Sequence, residues 1–403
     1  MRAYESSRWS KAAAIAGILL LQPLQAGAGE SAPRPTNLQL HGFATQGVVV
    51  TDKNNFFGPS SDRPSFQFIE LGLNASLRPR PDTLIAGQVI SRRAGGERSD
   101  AQPAIDYLLV DRQMHAGPDG HWGIRLGRAK NPFGLFNETR DVAFTRPGIL
   151  LPQSIYFDRT RSLALSSDGL AVYAERNLPA GDVRMHLGVG RPQTGEDLEW
   201  VAMGSKQPGS FRGKTSVIGQ ALYEHDGGRI VAALSAADTG ARFRSGPGGP
   251  GNVEFSFTPW ILSLQYNAEQ WSLTGEYARR PSSLTGFDAP FRDFDVTGES
   301  AYLEYSRRLN HEWTWRVRYD VLYADHNDRS GQRFAQATGL PAHTRFAKDW
   351  STGVQWQVNP NLMLAAEYHR VDGTGWLPGP DNPDPTSTSR RWDMLLGQMS
   401  LRF

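Results

Sequence analysis

Apolar and polar residues alternate along most of the chain with a period of two. In residues 313–323, WTWRVRYDVLY, the odd positions are Trp, Trp, Val, Tyr, Val and Tyr, whereas the even positions are mostly polar. The same period recurs in residues 271–279, around Met185, and from Ile69 to Leu77. Successive side chains of a strand point to opposite faces, so this pattern predicts β-strands with one apolar and one polar face.

Short and long connections alternate between these predicted strands. Seven connections are short polar turns, such as residues 224–229 and 358–361, and eight are longer segments rich in Gly, Pro, Asp and Ser, among them residues 92–103, 238–252 and 281–297. Sixteen strands joined in this way place both chain ends on the short-turn side, as in outer-membrane barrels with an even strand number. The sequence therefore predicts an all-β fold, a transmembrane antiparallel β-barrel of 16 strands.

Aromatic residues support a barrel that crosses a membrane. Amphipathic rings prefer the two membrane interfaces, so two aromatic girdles are expected. The apolar faces carry aromatic residues near the short turns at Trp122, Tyr223, Tyr266, Trp271, Trp313, Trp356 and Phe403, and toward the long connections at Tyr277, Tyr323 and Tyr368. In a soluble sandwich, these rings would be distributed through the core.

The N-terminal residues have the layout of a secretory signal peptide. Arg2, Arg8 and Lys11 precede a short apolar run, AAAIAGILLLQPL, which is followed by small residues at 26–28. The run is too short to span a bilayer as a helix. We expect a signal peptide over residues 1–28 and an outer-membrane barrel domain over residues 29–403, located in the outer membrane of a Gram-negative bacterium.

The C-terminal residues, GQMSLRF, end on an aromatic side chain. Phe403, Leu401 and Met399 share one face of the last predicted strand. This ending resembles the C-terminal signal by which bacterial outer-membrane barrels are handed to their insertion machinery. We therefore expect Phe403 to lie on the lipid face and to serve as the assembly signal.

Composition excludes several classes of function. The chain has no cysteine, which rules out disulfides, thiolate metal sites and cysteine nucleophiles. Removing residues 1–28 leaves equal numbers of basic and acidic residues, so no basic excess indicates nucleic acid. The glycines of residues 209–215, GSFRGKT, have the wrong spacing for a phosphate-binding loop. His186 and His369 have no serine or carboxylate at a diagnostic spacing, so we expect no catalytic residue. Asp381, Asn382 and Asp384 could bind calcium, but acidic loops interrupted by Pro are more often solvated, so we expect no metal and no cofactor.

The third long connection, residues 129–165, is longer than a connection requires and is rich in Phe, Ile and Leu. We expect it to fold into the barrel and pack on the wall. Within it, LGRAKNPFGLF (126–136) has a basic residue before a Pro-Phe-Gly turn. This segment resembles the phosphate-selective porin O/P type and the DcaP-like porins. The resemblance implies a trimeric channel of sixteen strands with a basic constriction. That family's runs of loop lysines are absent, since the whole chain has only six lysines.

Charged residues of this loop, and those whose strand phase points inward, are the candidate pore-lining and constriction residues. Charges in a narrow, poorly screened passage select solutes by sign, and the planar fork of arginine suits carboxylate and phosphate. For any single residue, the alternative is an ordinary solvated lumen charge. The candidates are Arg125, Lys130, Glu138, Arg140, Asp141, Arg146, Asp158, Arg159, Arg161, Arg184, Arg316, Arg318 and Asp320.

The sequence thus predicts an outer-membrane porin for passive diffusion of small hydrophilic solutes, with a preference for anions such as dicarboxylates or phosphate. Its surroundings would be outer-membrane lipids and lipopolysaccharide. A homotrimer is expected, because the bacterial porins with an infolded third loop that this chain resembles commonly form trimers, whose interface buries barrel wall. Small residues of the first strands, which permit close approach, are candidates for that wall. These are Gly42, Ala44, Gly47, Gly72 and Ala75. The alternatives are an outer-membrane barrel hydrolase and a structural or adhesin barrel without an open pore.

Overall fold

The computed structural model describes residues 38–95, 101–158, 161–289 and 291–403. The predicted signal peptide, residues 1–28, lies outside these residues, and so does the candidate Arg159. None of the helices in the described ranges is long and apolar enough to cross a membrane.

Antiparallel strand segments form one sheet that closes on itself. Each segment pairs with its neighbours, and β18 pairs back to β1, with Phe43 opposite Arg402 and Thr51 opposite Met394. The segments are β1 (Leu38–Thr51), β2 (Ser65–Arg80), β3 (Thr83–Ala94), β4 (Ala104–Gly117), β5 (Gly120–Lys130), β6 (Ser166–Leu178), β7 (Gly181–Pro192), β8 (Gly209–Gly213), β9 (Ser216–His225), β10 (Ile230–Ser245), β11 (Glu254–Phe257), β12 (Trp260–Asn267), β13 (Trp271–Thr285), β14 (Phe294–Arg308), β15 (Trp313–Tyr323), β16 (Phe346–Asn359), β17 (Leu362–Gly373) and β18 (Arg391–Arg402).

Two pairs of segments each form a single barrel strand that is interrupted by two residues. β8 and β9 both pair with β10, on either side of Lys214 and Thr215. β11 and β12 both pair with β13, on either side of Thr258 and Pro259. Pro259 has no N–H to donate to a ladder, which explains the second break. The structure is therefore the closed antiparallel barrel of 16 strands that the sequence predicts.

Short turns and long connections alternate around this barrel, as predicted. The long connections carry the helical elements. The α-helices are α1 (Arg161–Leu165), α2 (Glu196–Met203) and α3 (Gln332–Thr338), and the short 3-10 helices are Ala143–Thr145, Ala342–Arg345 and Pro385–Ser387.

Two connections are shorter than predicted because their strands extend further. Residues 238–252 and 281–297 were expected to be connections, yet β10 continues to Ser245 and β13 to Thr285. In β10, the exposed Arg242 and Arg244 alternate with the buried Ala241 and Phe243, which pack in an apolar cluster with residues of neighbouring segments. The cluster contains Phe211, Ala241, Phe243, Val253, Phe255 and Leu284. The Gly, Pro and Asp content of these segments concealed this short apolar alternation.

Apolar side chains cover the outer face of the barrel. Exposed residues recur at every second position along the strands, for example at Leu71 and Leu73, at Leu187 and Val189, and at Leu395. A soluble monomer rarely exposes so much contiguous apolar surface. In a bilayer, a closed barrel satisfies every backbone group while its outer side chains meet lipid. The fold is accordingly that of an outer-membrane protein of a Gram-negative bacterium.

Phe403 lies on this outer face, with 68% of its surface exposed. Its backbone exchanges two hydrogen bonds with Gly42: Gly42 N–H donates to Phe403 O over 3.1 Å, and Phe403 N–H donates to Gly42 O over 3.0 Å. A Cβ atom at Gly42 would overlap the phenyl ring, so glycine leaves the space in which the ring lies. The last residue therefore takes part in closing the sheet.

Replacing Phe403 with aspartate should lower the amount of assembled barrel severalfold while export across the inner membrane continues. A charge at the edge of the apolar belt costs only about 1 kcal/mol, so the loss would reflect recognition and closure rather than unfolding. The measurement is heat-modifiable protein in outer-membrane fractions. Phe291→Asp is the matched control, because Phe291 is an exposed aromatic residue in a long connection. Equal amounts in both variants would contradict this role of Phe403.

The small residues predicted for a subunit interface divide between the two faces. A Cβ atom at Gly47 would overlap the Phe68 ring, and one at Gly72 would overlap the Phe43 ring. Both rings are buried, so Gly47 and Gly72 lie on the lumen face and the prediction is wrong for these two. Side chains alternate between the two faces along a strand, and Gly47 falls on the same face as the buried lumen residues of its strand. On the outer face remain Gly42, Ala44 and Ala75.

Candidate constriction site

The third connection, residues 131–165, binds side chains of strands that lie nearly opposite each other in the barrel. Near its start, Gly134 N–H donates to Ser235 Oγ of β10 over 3.0 Å. Further along, Arg146 forms an ion pair of 2.7 Å with Glu70 of β2. The wall residues are buried and lie in the inward strand phase. We refer to residues 131–165 as the third loop, and these contacts pack it against the inner wall.

The Pro-Phe-Gly turn fixes the first contact of this loop. Gly134 has a φ of +68°, a conformation that favours glycine. A Cβ atom there would lie 2.5 Å from the Tyr156 hydroxyl and 2.9 Å from Glu276 Oε1, so a side chain would prevent the approach. Leu135 N–H donates to Glu276 Oε1 over 3.0 Å, and the Tyr156 hydroxyl donates to Glu276 Oε2 over 2.7 Å. Burial and then Glu276 raise the pKa of Tyr156 well above 10, so it keeps its proton.

The middle of the third loop is tied to β15 and β17. Glu367 accepts hydrogen bonds from the backbone N–H groups of Ile149 and Leu150. Arg318 Nη1 donates to Leu150 O over 3.0 Å. Ser154 N–H donates to Asp320 over 3.2 Å. The loop backbone therefore takes its hydrogen bonds from charged wall residues rather than from water.

Arg316 and Arg318 point inward, yet the loop covers them. Their side chains are 2% and 1% exposed, and each is paired with Glu304, at 3.3 Å and 3.2 Å. Arg316 also lies 2.5 Å from Glu367. Asp320 is buried beside them. These three candidates hold the loop in place instead of facing an open passage.

Three arginines of the third loop meet a fourth, Arg92, on β3. Arg140 Nη2 lies 3.2 Å from Asp158 Oδ1, and Arg92 Nη2 lies 2.9 Å from Asp158 Oδ2. Arg92 also pairs with Glu70 over 3.0 Å, as Arg146 does. We call Arg92, Arg140, Arg146 and Arg161 the arginine cluster. Together with Asp158 and the backbone of residues 149–151, they line a cavity of about 260 Å³, which includes space open to solvent.

Like charges are crowded around this cavity. Its lining contains four guanidinium groups and one carboxylate, that of Asp158. Burial, followed by the charges of Arg92 and Arg140, lowers the pKa of Arg161 well below its usual range. Asp141 offsets part of this charge, because it pairs with both Arg161 and Lys130. Lys130 also lies 2.8 Å from Asp106 of β4. An anion placed in the cavity would relieve repulsion among the guanidinium groups.

The remaining candidates keep contact with water. Arg125 pairs with Asp111 over 3.0 Å. The side chain of Glu138 is 44% exposed and that of Arg184 is 50% exposed. The structure thus sorts the candidates into three sets: the arginine cluster with its carboxylates, the residues covered by the loop, and an accessible set formed by Arg125, Glu138 and Arg184.

Sequence reasoning missed Arg92 and the full surroundings of His369. Arg92 was assigned to a connection, but β3 continues through it to Ala94. His369 Nδ1 lies 2.8 Å from Asp349, and Nε2 lies 3.2 Å from Glu367. Pairing of β16 with β17 brings Asp349 close, which sequence spacing alone does not reveal. Both ring nitrogens thus face carboxylates, and neither is left to activate a nucleophile. Within the described ranges, no group of three His, Asp or Glu side chains could hold a metal ion.

Solved structures of bacterial outer-membrane proteins have the same fold as this chain. No family model matches the sequence, and no curated protein matches it either. Among solved structures, OmpTdeltaL8, a loop L8 deletion mutant of the outer membrane protein OmpT of Vibrio cholerae, has a TM-score of 0.56 at 10% identity, covering 91% of this chain and 99% of its own. The anion-selective porin from Comamonas acidovorans has a TM-score of 0.55 at 11% identity, covering 91% and 100%. The outer membrane channel DcaP of Acinetobacter baumannii has a TM-score of 0.55 at 10% identity, covering 93% and 100%. The chain has the barrel fold of these bacterial outer-membrane proteins.

Proposed function

Starting from a porin-type barrel, we propose that this protein is an outer-membrane channel through which small hydrophilic solutes diffuse passively, with a preference for anions such as dicarboxylates or phosphate. The observation that supports the preference is the arginine cluster, in which four guanidinium groups and one carboxylate surround a cavity. Guanidinium forks bind carboxylate and phosphate through paired hydrogen bonds. One structural neighbour is itself titled an anion-selective porin.

Partial burial of these charges strengthens their effect on a permeating ion. Exposed charges are screened by salt beyond about 10 Å at 0.1 M, whereas buried ones are screened much less. The side chains of Arg140 and Arg146 are almost fully buried. Their field therefore acts on solutes that pass along the third loop, and the exposed Arg184 contributes less. Neither a cofactor nor a metal enters this proposal, and no residue is assigned a catalytic role.

The test is the reversal potential of the purified chain in planar bilayers under a salt gradient. We expect discrete conductance steps and a reversal potential on the anion side in dilute salt. The anion preference should fall only slightly as salt is raised, because the buried arginine charges are screened less than exposed ones. A cation-selective channel in dilute salt would refute the anion preference.

The same recording tests a second candidate, a structural barrel with a closed lumen. The specific observation in its favour is that the third loop is anchored both to β10 and to β2, and covers Arg316 and Arg318. Such a barrel would give no conductance steps at any voltage. A barrel hydrolase would also give no conductance steps. It would require a nucleophile near His369, but both ring nitrogens of His369 face carboxylates.

We further propose that the protein is a homotrimer whose interface includes the outer face of β1–β4. This face has an apolar depression lined by Leu40, Ala75, Ile85 and Gly87, where small residues leave room for a partner wall. One neighbouring structure is titled a trimer form. We expect native mass spectrometry in mild detergent to give a trimer, and Ala75→Arg to shift it toward monomer. Wild-type protein that is monomeric across the detergents tested would contradict the proposal.

Export and assembly complete the proposal. Residues 1–28 would direct export and be removed, which leaves residues 29–403 as the barrel domain. Phe403 would then be recognised by the insertion machinery, and the finished barrel would be surrounded by outer-membrane lipids and lipopolysaccharide. Support comes from the exposed position of Phe403 on the apolar outer face.

A further inference from the structure

A second cavity lies between the start of the third loop and the inner wall formed by β5–β10. It contains about 650 Å³ of space between atoms, including a part open to solvent. Most side chains that line it are apolar, among them Phe133 and Leu163 of the loop and Ala171, Ile218 and Ala237 of the wall. Mostly apolar walls with a few polar groups are typical of sites for small molecules.

The cavity exists because the wall lacks side chains at this height. Gly127 of β5 lies opposite Gly169 of β6, which lies opposite Gly190 of β7, so three neighbouring strands present glycine in one row. A Cβ atom at Gly169 would overlap the Val189 carbonyl oxygen, so the close approach of the strands itself requires glycine there. The third loop passes this row without filling the space.

Most polar groups of the lining already have partners. Lys130 pairs with Asp106 and Asp141. The hydroxyl groups of Ser216 and Thr239 bond to each other over 3.0 Å. The side-chain amide of Asn131 donates to Ala164 O over 3.1 Å. A charged solute would therefore find no unpaired counter-charge in this part of the lumen.

His186 differs from these groups. Its two ring nitrogens are buried, and neither has a hydrogen-bond partner among the residues that the structure describes. The ring belongs to the lining of the cavity. A buried polar group left without a partner costs about 1–3 kcal/mol, and a ligand that supplied the partner would remove that cost. His186 thus marks one polar point in a mainly apolar space.

We propose that this cavity binds small uncharged aromatic or aliphatic solutes that carry a single hydroxyl group. The apolar part of the solute packs against Phe133, Ala171 and Ile218, and its hydroxyl group bonds to His186. Binding takes place on the glycine row, away from the arginine cluster. The barrel would thus hold two subsites of different chemistry along the third loop, one for anions and one for neutral amphipathic solutes.

The experiment titrates 4-bromophenol into the full chain in detergent at pH 6, where this phenol is uncharged, and measures the heat of binding. The same titration with Ala171→Leu subtracts partition into micelles, because that side chain fills the cavity. We expect saturable binding to the wild type that weakens by about tenfold in Ala171→Leu. Bromine anomalous diffraction from crystals grown with the compound should place the bromine atom beside the glycine row.

Two further measurements keep the proposal falsifiable. If Ala171→Leu does not fold, Gly188→Ala replaces it, because its added carbon would meet its nearest neighbours at 3.4 Å or more. It should weaken binding by about threefold. In the wild type, 4-bromophenol should bind more tightly than 4-bromotoluene, and His186→Leu should abolish this difference. Equal binding of the two compounds by the wild type, equal or tighter binding of 4-bromobenzoate, or bromine density elsewhere would each overturn the proposal. Conductance is not used, so this outcome is independent of the proposed channel function.

Discussion

Replacing Glu367 with alanine should raise the single-channel conductance severalfold. Glu367 accepts the backbone N–H groups of Ile149 and Leu150 and pairs with Arg316, so one side chain links the middle of the third loop to the wall. Its removal leaves a buried guanidinium without that partner, and breaking a buried pair costs about 3–5 kcal/mol. The barrel strands keep their own closed ladder of hydrogen bonds. We therefore expect the third loop, rather than the barrel wall, to move.

Glu224→Ala is the matched control for this measurement. Glu224 also lies on the inward strand phase, and it pairs with Arg184 over 3.1 Å in the accessible part of the lumen. Its loss should leave the conductance within about twofold of the wild type, since exposed pairs contribute little. Limited proteolysis of residues 140–161 should accelerate only in Glu367→Ala. Equal conductance of the two variants would show that Glu367 does not hold the loop.

The second large effect is expected for Arg140→Ala combined with Arg146→Ala. Removing these two charges leaves Asp158 with Arg92, and leaves Glu70 without the 2.7 Å contact of Arg146. The cluster then changes from four cations to two, while the three carboxylates that pair with it, Glu70, Asp141 and Asp158, remain. Interactions between charges about 4 Å apart near a protein surface reach about 4 kcal/mol, so the anion-to-cation permeability ratio should fall by about tenfold or more.

Reversal potentials in a salt gradient measure this change. Arg184→Ala combined with Arg308→Ala removes the same charge from exposed positions and is the control. Its shift should be small and should vanish as salt is raised, whereas the shift of the cluster variant should persist. A cluster variant whose reversal potential equals that of the wild type would show that solutes do not pass the arginine cluster.

Substituting Arg316 and Arg318 on β15 would test selectivity less directly than their strand phase suggested. From strand phase, Arg316 and Arg318 were expected to point inward and line the passage. The loop instead covers both, and Glu304 lies within 3.3 Å of each. Replacing them would expose Glu304 and release Leu150 together. Conductance and selectivity would then change at the same time, for two different reasons.

Strand number, pairing order and outer face could be predicted because each follows from local rules. The direction of a side chain in a strand depends only on its position modulo two, which places Leu395, Met399 and Phe403 on the lipid face. Gly47 and Gly72 were grouped with Gly42, Ala44 and Ala75 by size alone, without regard to this alternation, which puts them on the lumen face. Where the apolar alternation was short and rich in glycine, as in residues 238–245, the strand was assigned to a connection.

The surroundings of the third loop could not be derived from local rules. Strand phase says that Arg316 points inward, but it does not say which segment covers it. That depends on contacts such as the one between Ile149 and Glu367, which are 218 positions apart in sequence. Arg92 shows the same limit, because its role becomes visible only when β3 is paired and Asp158 reaches it from the loop.

The long sequence separations of these contacts also bear on when the third loop docks during folding. The third loop binds Glu276, Asp320 and Glu367, which follow their partners in the loop by 141, 166 and 218 residues. The inner surface that receives the loop is complete only after the last strands have joined, and closing such long loops carries an entropic cost. We therefore expect the loop to dock late, after the wall has closed. The last step of assembly would then take place inside the barrel. The lumen would be wide when the wall first closes and would become narrower when the third loop packs into it.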